Sequence, residues 1–223
     1  MIKQVFALLR HSMRLEISES QRVLSSFLFG MTILFLFAFA MGDVPENVKV
    51  HLVLSEIFLC IFLVLQLVHQ RILSVEEEDR AMDVLVTSSV SISLFYLVKV
   101  FLAVLLSGII IFPFLAFMQI LHGVNLWNGL FLCVVALIIL ALSSLGVLLS
   151  QMTEKAAGRE LLFPLLYFPL TIPVLLSGVQ ASFCLWNIHN PDGFDLWLGL
   201  LGAFCIIYLT LGVLLFEELI GLD

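Results

Sequence analysis

GLFLCVVALIILALSSLGVLL, residues 129–149, runs without a single charged side chain. A helix needs about 20 predominantly apolar residues to cross a hydrocarbon core of roughly 30 Å. A strand of a membrane barrel would be shorter and would alternate in polarity. The stretch therefore predicts a membrane-spanning helix, and it decides the fold class of the chain.

Five further apolar stretches of the same character flank this one. They cover about residues 23–41, 50–68, 94–121, 161–176 and 196–216. The composition agrees, because only 12% of the 223 residues are charged, whereas soluble domains carry about 25%. The sequence therefore predicts an all-α polytopic membrane protein with six transmembrane helices.

The Lys and Arg residues are distributed unevenly between the predicted connections. If the amino terminus is cytoplasmic, Lys49 is the only one of the 10 on the outer side. Cytoplasmic loops of membrane proteins carry an excess of Lys and Arg, so both termini are expected to be cytoplasmic. The net charge of -7 gives no attraction to nucleic acid. The expected partners are the lipid bilayer and other proteins.

Residues 1–22 precede the first span and carry an amphipathic pattern. Basic side chains occupy the other faces of a helix on which these apolar residues recur: Ile2, Phe6, Leu9, Met13 and Ile17. The pattern predicts an interfacial elbow helix along the inner leaflet. The alternative is a disordered basic tail that only orients insertion. Residues 23–223 form the predicted transmembrane domain.

The fifth span contains Pro164, Pro169 and Pro173. Proline removes a backbone donor and clashes with the preceding turn, so a bent or broken helix is expected. The segment that follows, residues 177–190, is only half apolar. It is expected either to dip back into the outer leaflet or to form an outer loop anchored by aromatic side chains.

An acidic stretch, RILSVEEEDRAMDVL at residues 71–85, interrupts the apolar chain between the second and third spans. Ser74 and Glu77 fit the capping box, in which each side chain bonds a free amide at a helix start. Acids in the first turn also suit the positive end of the helix dipole. A cytoplasmic helix is therefore predicted at about residues 74–86.

The charges on this helix are not all paired. Arg80 lies at the spacings where side chains meet Glu76 and Asp83, whereas Asp79 projects closer to the apolar side and lacks such a partner. A rigid, charged cytoplasmic helix suits docking into a groove of a soluble motor protein. The alternative is a solvated surface helix, whose ion pairs add only about 0.2–0.5 kcal/mol each.

Few residues outside the acidic helix indicate chemistry. Glu56 lies in the outer half of the second span, where an ionisable residue is either functional or shallow enough to reach water or to pair at the interface. In the second cytoplasmic connection, Arg159 can stay at the interface and Glu160 suits a helix start. The four cysteines lack CxxC spacing, so neither a metal site nor a disulfide framework is predicted.

Three motifs together resemble one known family. They are EEEDRAMDVL at residues 76–85, KAAGRELLFPLLYFPLTIPVLL at residues 155–176 and LGVLLFEEL at residues 211–219. With the basic amphipathic start, they make the whole chain similar to the heme exporter B family of cytochrome c maturation. That family comprises membrane permeases of an ABC-type complex within the ABC-2 permease class.

The resemblance implies specific partners and a location in the bacterial cell inner membrane. The partners are an ABC ATP-binding subunit, a tryptophan-rich heme-handling membrane subunit and a small single-span subunit. It makes residues 74–86 the coupling helix, with these docking residues: Glu76, Glu77, Glu78, Asp79, Arg80 and Asp83. No Walker A motif occurs in the chain, so the permease is not itself an enzyme and ATP is expected on the partner.

Heme is expected as the cargo of the complex rather than as a cofactor of this chain. Histidine is a common heme ligand, and His51, His122 and His189 fall near the predicted outer face. They share no motif spacing, so ordinary interfacial anchoring is the alternative. Two other functions stay open: an ABC-2 permease for lipid, polysaccharide or drug, and a membrane scaffold for assembly factors.

Overall fold

A computed structural model gives the architecture of the chain over residues 20–42, 45–72, 92–153, 158–186, 188 and 191–221. Within these residues all regular structure is helical. The helices are α1 (Ser20–Met41), α2 (Glu46–Ile72), α3 (Ile92–His122), α4 (Gly129–Thr153), α5 (Arg159–Leu185) and α6 (Phe194–Gly221), with a short 3-10 helix at Pro191–Gly193. The predicted coupling helix at 74–86 and residues 1–19 of the predicted elbow lie outside the described residues.

Each of the six predicted spans corresponds to one α-helix. Helices α2 to α6 are long and apolar enough to cross a membrane, whereas the apolar part of α1, Leu24–Ala40, is shorter. The prediction of an all-α polytopic membrane protein is confirmed. The chain is a multi-pass membrane protein.

The fifth span differs from its prediction in length and continuity. Helix α5 runs unbroken past all three prolines and continues to Leu185, so most of the predicted loop or re-entrant segment is helix. The polar side chains that suggested a loop are satisfied inside the helix, because Ser177 and Ser182 donate to the carbonyls of Val174 and Gly178, each at 2.9 Å. Serine hydroxyls can bond back to the preceding turn in this way.

Helix α4 lies at the centre of the bundle. It packs against α2, α3, α5 and α6, whereas α1 lies at the edge and packs against α2 and α3. Every residue from Ala141 to Ser150 of α4 is buried. This stretch includes Ser143, Ser144, Gly146 and Ser150, and small residues of this kind allow helices in a membrane to approach closely.

Four of the five connections are short and make the helices that they join antiparallel. Helices α2 and α3, joined by the longer connection 73–91, are antiparallel too, because Glu56 in the first half of α2 lies beside His122 at the end of α3. The ends of α2, α4 and α6 therefore lie at the same end of the bundle as the starts of α1, α3 and α5. We call this the 73–91 end, after the connection between α2 and α3. The connections 42–45, 123–128 and 186–193 lie at the opposite end.

Candidate functional site

One imidazole connects three helices in the half of the bundle nearer the 73–91 end. His69 of α2 is fully buried. Its Nδ1 lies 3.2 Å from the hydroxyl of Tyr167 in α5, and its Nε2 lies 3.1 Å from the hydroxyl of Ser143 in α4. A neutral imidazole donates from one ring nitrogen and accepts at the other, so both contacts can be hydrogen bonds at once. The His69 cluster is His69, Ser143, Ser150 and Tyr167.

The same cluster brings the backbones of α2 and α4 close together. The hydroxyl of Ser150 donates to the carbonyl of His69 at 2.7 Å. A Cβ added to Gly146 would lie 2.5 Å from Cγ of the His69 ring, which is closer than carbon atoms can approach. Position 146 therefore needs glycine for the imidazole to fit.

A second set of contacts joins α3 to α4 and to α6 beside this cluster. The buried hydroxyl of Tyr96 donates to the carbonyl of Ser144 at 3.0 Å, and the Tyr96 ring leaves no room for a Cβ at Gly212 of α6. One turn along α3, Lys99 is also buried, with its Nζ 5.5 Å from the centroid of the Phe95 ring. Both helices that flank residues 73–91 are therefore hydrogen-bonded to α4.

We expect the Ser150 hydrogen bond to make a modest, measurable contribution to stability. Hydrogen bonds between membrane helices contribute about 0.6 kcal/mol on average and up to about 1.7 kcal/mol. Ser150→Ala should therefore lower the unfolding temperature in mild detergent by roughly 2–4 °C. Thr210→Ala is the matched control, because Thr210 is exposed and bonds only within its own helix. Equal shifts in the two variants would contradict the contribution assigned to the contact between α2 and α4.

The sequence pattern did not single out His69. Its partners lie 74 and 98 residues away in the chain, and no local spacing links positions so far apart. The available signal was a hydrogen-bonding side chain in an apolar span, since polar groups inside membranes generally find a partner. The same signal was present at Tyr167 and Ser143.

Glu56 lies in the other half of the bundle, toward the opposite end. It is buried, with 3% of its surface exposed, and its Oε2 lies 3.3 Å from Nε2 of His122 at the end of α3. The two groups are close but poorly aligned for a hydrogen bond. Among the described residues, neither carboxyl oxygen of Glu56 has a hydrogen-bond partner, and Nε2 of His122 also has none. Glu56 therefore does not reach water directly, and its contact with His122 at the end of α3 agrees with the alternative of a pair near the interface. The structure joins it to one of the three candidate heme ligands.

Among the other predicted site residues, His51 has a side chain that the structure describes, and it joins neither cluster. His51 of α2 is half-buried and stacks on Phe183 of α5 with ring centroids 4.3 Å apart. Arg159 and Glu160 form the first turn of α5, but their side chains are not described. His189 and the docking residues of the acidic helix lie outside the described residues. Within the described part of the chain, no group of three or more His, Cys, Asp and Glu could hold a metal ion.

The comparison with known families gives one match. A family model described as CcmB protein matches residues 3–218. This range includes all six helices to within a few residues of the end of α6, both buried polar clusters and the acidic stretch. No curated protein matches the chain.

Proposed function

Since the chain belongs to the CcmB protein family, whose members are the permease subunits of the heme exporter of cytochrome c biogenesis, we propose that ATP hydrolysis by a partner subunit drives this permease. The family match over residues 3–218 carries this proposal, together with five helices able to cross a membrane. A complex with an ABC ATP-binding subunit follows from the family. Heme is the cargo of that complex, and ATP binds to the partner.

The 73–91 end is the end at which we place the ATP-binding subunit. The acidic stretch at residues 76–79 is followed by Arg80, and such a cluster complements a basic groove on a soluble partner. On the predicted helix, Asp79 is the acid without a neutralising neighbour, so it is the one expected to pair across the interface. This orientation makes the 73–91 end cytoplasmic, in the bacterial inner membrane.

We call residues 73–91 the docking segment. Its movement would reach the membrane helices through the two sets of contacts in the helices that flank it. On one side, His69 near the end of α2 is hydrogen-bonded to α4 and α5. On the other, Tyr96 at the start of α3 is hydrogen-bonded to α4. Packed cores respond to displacement by moving as units rather than by deforming continuously. The central helix α4 would therefore shift with the docking segment and act on the heme-handling partner.

Co-purification tests the composition of the proposed complex. The tagged protein, extracted from native membranes in a mild detergent, should bring with it an ABC ATP-binding subunit, a tryptophan-rich heme-handling membrane subunit and a small single-span subunit. Mass spectrometry identifies them. An unrelated tagged polytopic protein is the control for detergent carry-over. Recovery of the ATP-binding subunit without the heme-handling subunit would contradict the proposed assembly.

An inactive ATPase separates driven export from scaffolding. A partner subunit that binds ATP but cannot hydrolyse it should still co-purify with the permease, while holo-cytochrome c, measured by heme staining of membranes, should be lost. A scaffold requires only that the complex form. Normal holo-cytochrome c with the inactive ATPase would therefore overturn the proposal that hydrolysis drives this permease.

A further inference from the structure

Glu56 occupies a position in which a charged carboxylate is costly. It lies about 12 Å along the axis of α2 from Val48, where the apolar span of that helix begins, and 3% of its surface is exposed. Both of its carboxyl oxygens are buried and lack a hydrogen-bond donor among the described residues. An ionised carboxylate without hydrogen bonds in such a place costs several kcal/mol or more, and such groups become neutral instead.

Among the described residues, one ionisable side chain of a neighbouring helix is close to this carboxyl. His122 Nε2 lies 3.3 Å from Oε2, and its alignment does not satisfy the carboxylate. The imidazole of His122 is largely buried, with 11% of its side chain exposed, and burial disfavours its charged form. The ammonium group of Lys49 on α2 also acts on this imidazole, and like charges repel. Cys60, another ionisable residue of α2, lies one turn from Glu56.

The other helices that pack against α2 bring no charge to this region. Helix α4 contains no charged residue, and the charged residues of α1 and α5 are Arg22, Arg159 and Glu160. All three of these lie in the first turn of their helix, at the 73–91 end, whereas Glu56 lies toward the opposite end. No side chain of α1, α4 or α5 can therefore neutralise the Glu56 carboxylate.

From these contacts we infer that Glu56 and His122 form a buried proton-binding site between α2 and α3, in which the carboxyl group of Glu56 carries the proton and the imidazole is neutral. A neutral acid beside a neutral imidazole places no charge in the membrane interior, so the pair does not need the good alignment that a buried ion pair requires. The shared proton belongs to the pair, because either group could hold it. The inference concerns the chain itself and does not depend on ATP-driven export.

The site lies between the two helices that residues 73–91 connect. Separating two opposite charges in a medium of low dielectric constant costs a large free energy. A contact between uncharged groups can open and close without that cost. A neutral pair would therefore not oppose a movement of α2 relative to α3 at this contact. When they part and water enters, Glu56 can release its proton.

Infrared spectroscopy of the purified full-length protein in lipid nanodiscs at neutral pH tests the inference. A protonated carboxyl absorbs at higher frequency than carboxylates do, so the wild-type protein should show one such band, and Glu56→Gln should remove it. Glu218→Gln is the matched control, since Glu218 is an exposed glutamate on α6 and should leave the band unchanged. His122→Phe should shift the band without removing it, because only the neighbour of the carboxyl changes.

The measurement stays decisive if Glu56→Gln does not fold. In the wild-type protein, glutamate labelled with carbon-13 should move the band, aspartate labelled in the same way should not, and transfer to heavy water should lower its frequency. A wild-type spectrum without a protonated carboxyl band would overturn the inference. So would a band that persists unchanged in both Glu56→Gln and His122→Phe.

Discussion

Replacing Asp79 by lysine is expected to abolish holo-cytochrome c formation while the protein still inserts into the membrane. On the helix predicted at residues 74–86, Asp79 is the acid without a partner at helical spacing, so it is the one expected to meet a positive charge on the ATP-binding subunit. Disrupting a close interfacial charge pair costs about 2–5 kcal/mol, which corresponds to a loss of at least about 30-fold in docking affinity. Heme staining and immunodetection of the tagged protein in membranes measure the two readouts.

Two controls separate docking from general damage. Glu218→Lys makes the same charge reversal at an exposed acid near the end of α6, at the same end of the bundle, and should leave cytochrome formation intact. Asp79→Glu keeps the charge and should retain most of the activity. Normal holo-cytochrome c in Asp79→Lys would rule out the docking role of this residue.

A single added methyl group at Gly146 is expected to destabilise the bundle more than the loss of the Ser150 hydroxyl does. The new Cβ would lie 2.5 Å from the ring of His69, so the ring or the helix must shift and the hydrogen bonds of His69 must lengthen. Overpacking of this kind costs about 1–3 kcal/mol. The loss should be visible as a lower unfolding temperature and a smaller monodisperse fraction in detergent.

The matched control for this substitution is Gly199→Ala. Gly199 is also inside a helix, but an added Cβ there meets nothing within 4 Å. Alanine is favoured over glycine in a helix by up to about 1 kcal/mol, so Gly199→Ala should be neutral or stabilising. In a His69→Gly background, Gly146→Ala should cost little, because both the ring and the Cβ that it would strike are gone. An equal cost of Gly146→Ala in both backgrounds would refute the steric explanation.

The helices could be predicted from sequence because each depends on information contained in one continuous stretch. Spans such as 129–149 are apolar over the full width of a membrane, and all regular structure within the described residues is helical. The predicted end of the fifth span was wrong for a related reason. Residues 177–190 are only half apolar, but the hydroxyls of Ser177 and Ser182 bond to carbonyls three and four residues earlier in the helix. Residue polarity alone does not distinguish that arrangement from a loop.

The buried clusters could be predicted only in part. Glu56 was recognisable as an acid within an apolar span, and His122 as a histidine near a span end. Their contact at 3.3 Å depends on how α2 and α3 pack. His69 was not singled out, since its importance comes from partners in α4 and α5 rather than from its neighbours in the chain.

By itself, the amino-acid sequence determined that this protein is an all-helical multi-pass membrane protein, and its motifs identified the heme exporter permease family, which the match over residues 3–218 confirms. Hydrophobic length and motif order are properties of the linear chain, so they can be read without a structure. The tertiary structure decided which polar groups meet: His69 with Ser143 and Tyr167, and Glu56 with His122. These contacts join residues far apart in the chain, and only the packing of the helices brings them within hydrogen-bonding distance or close to it.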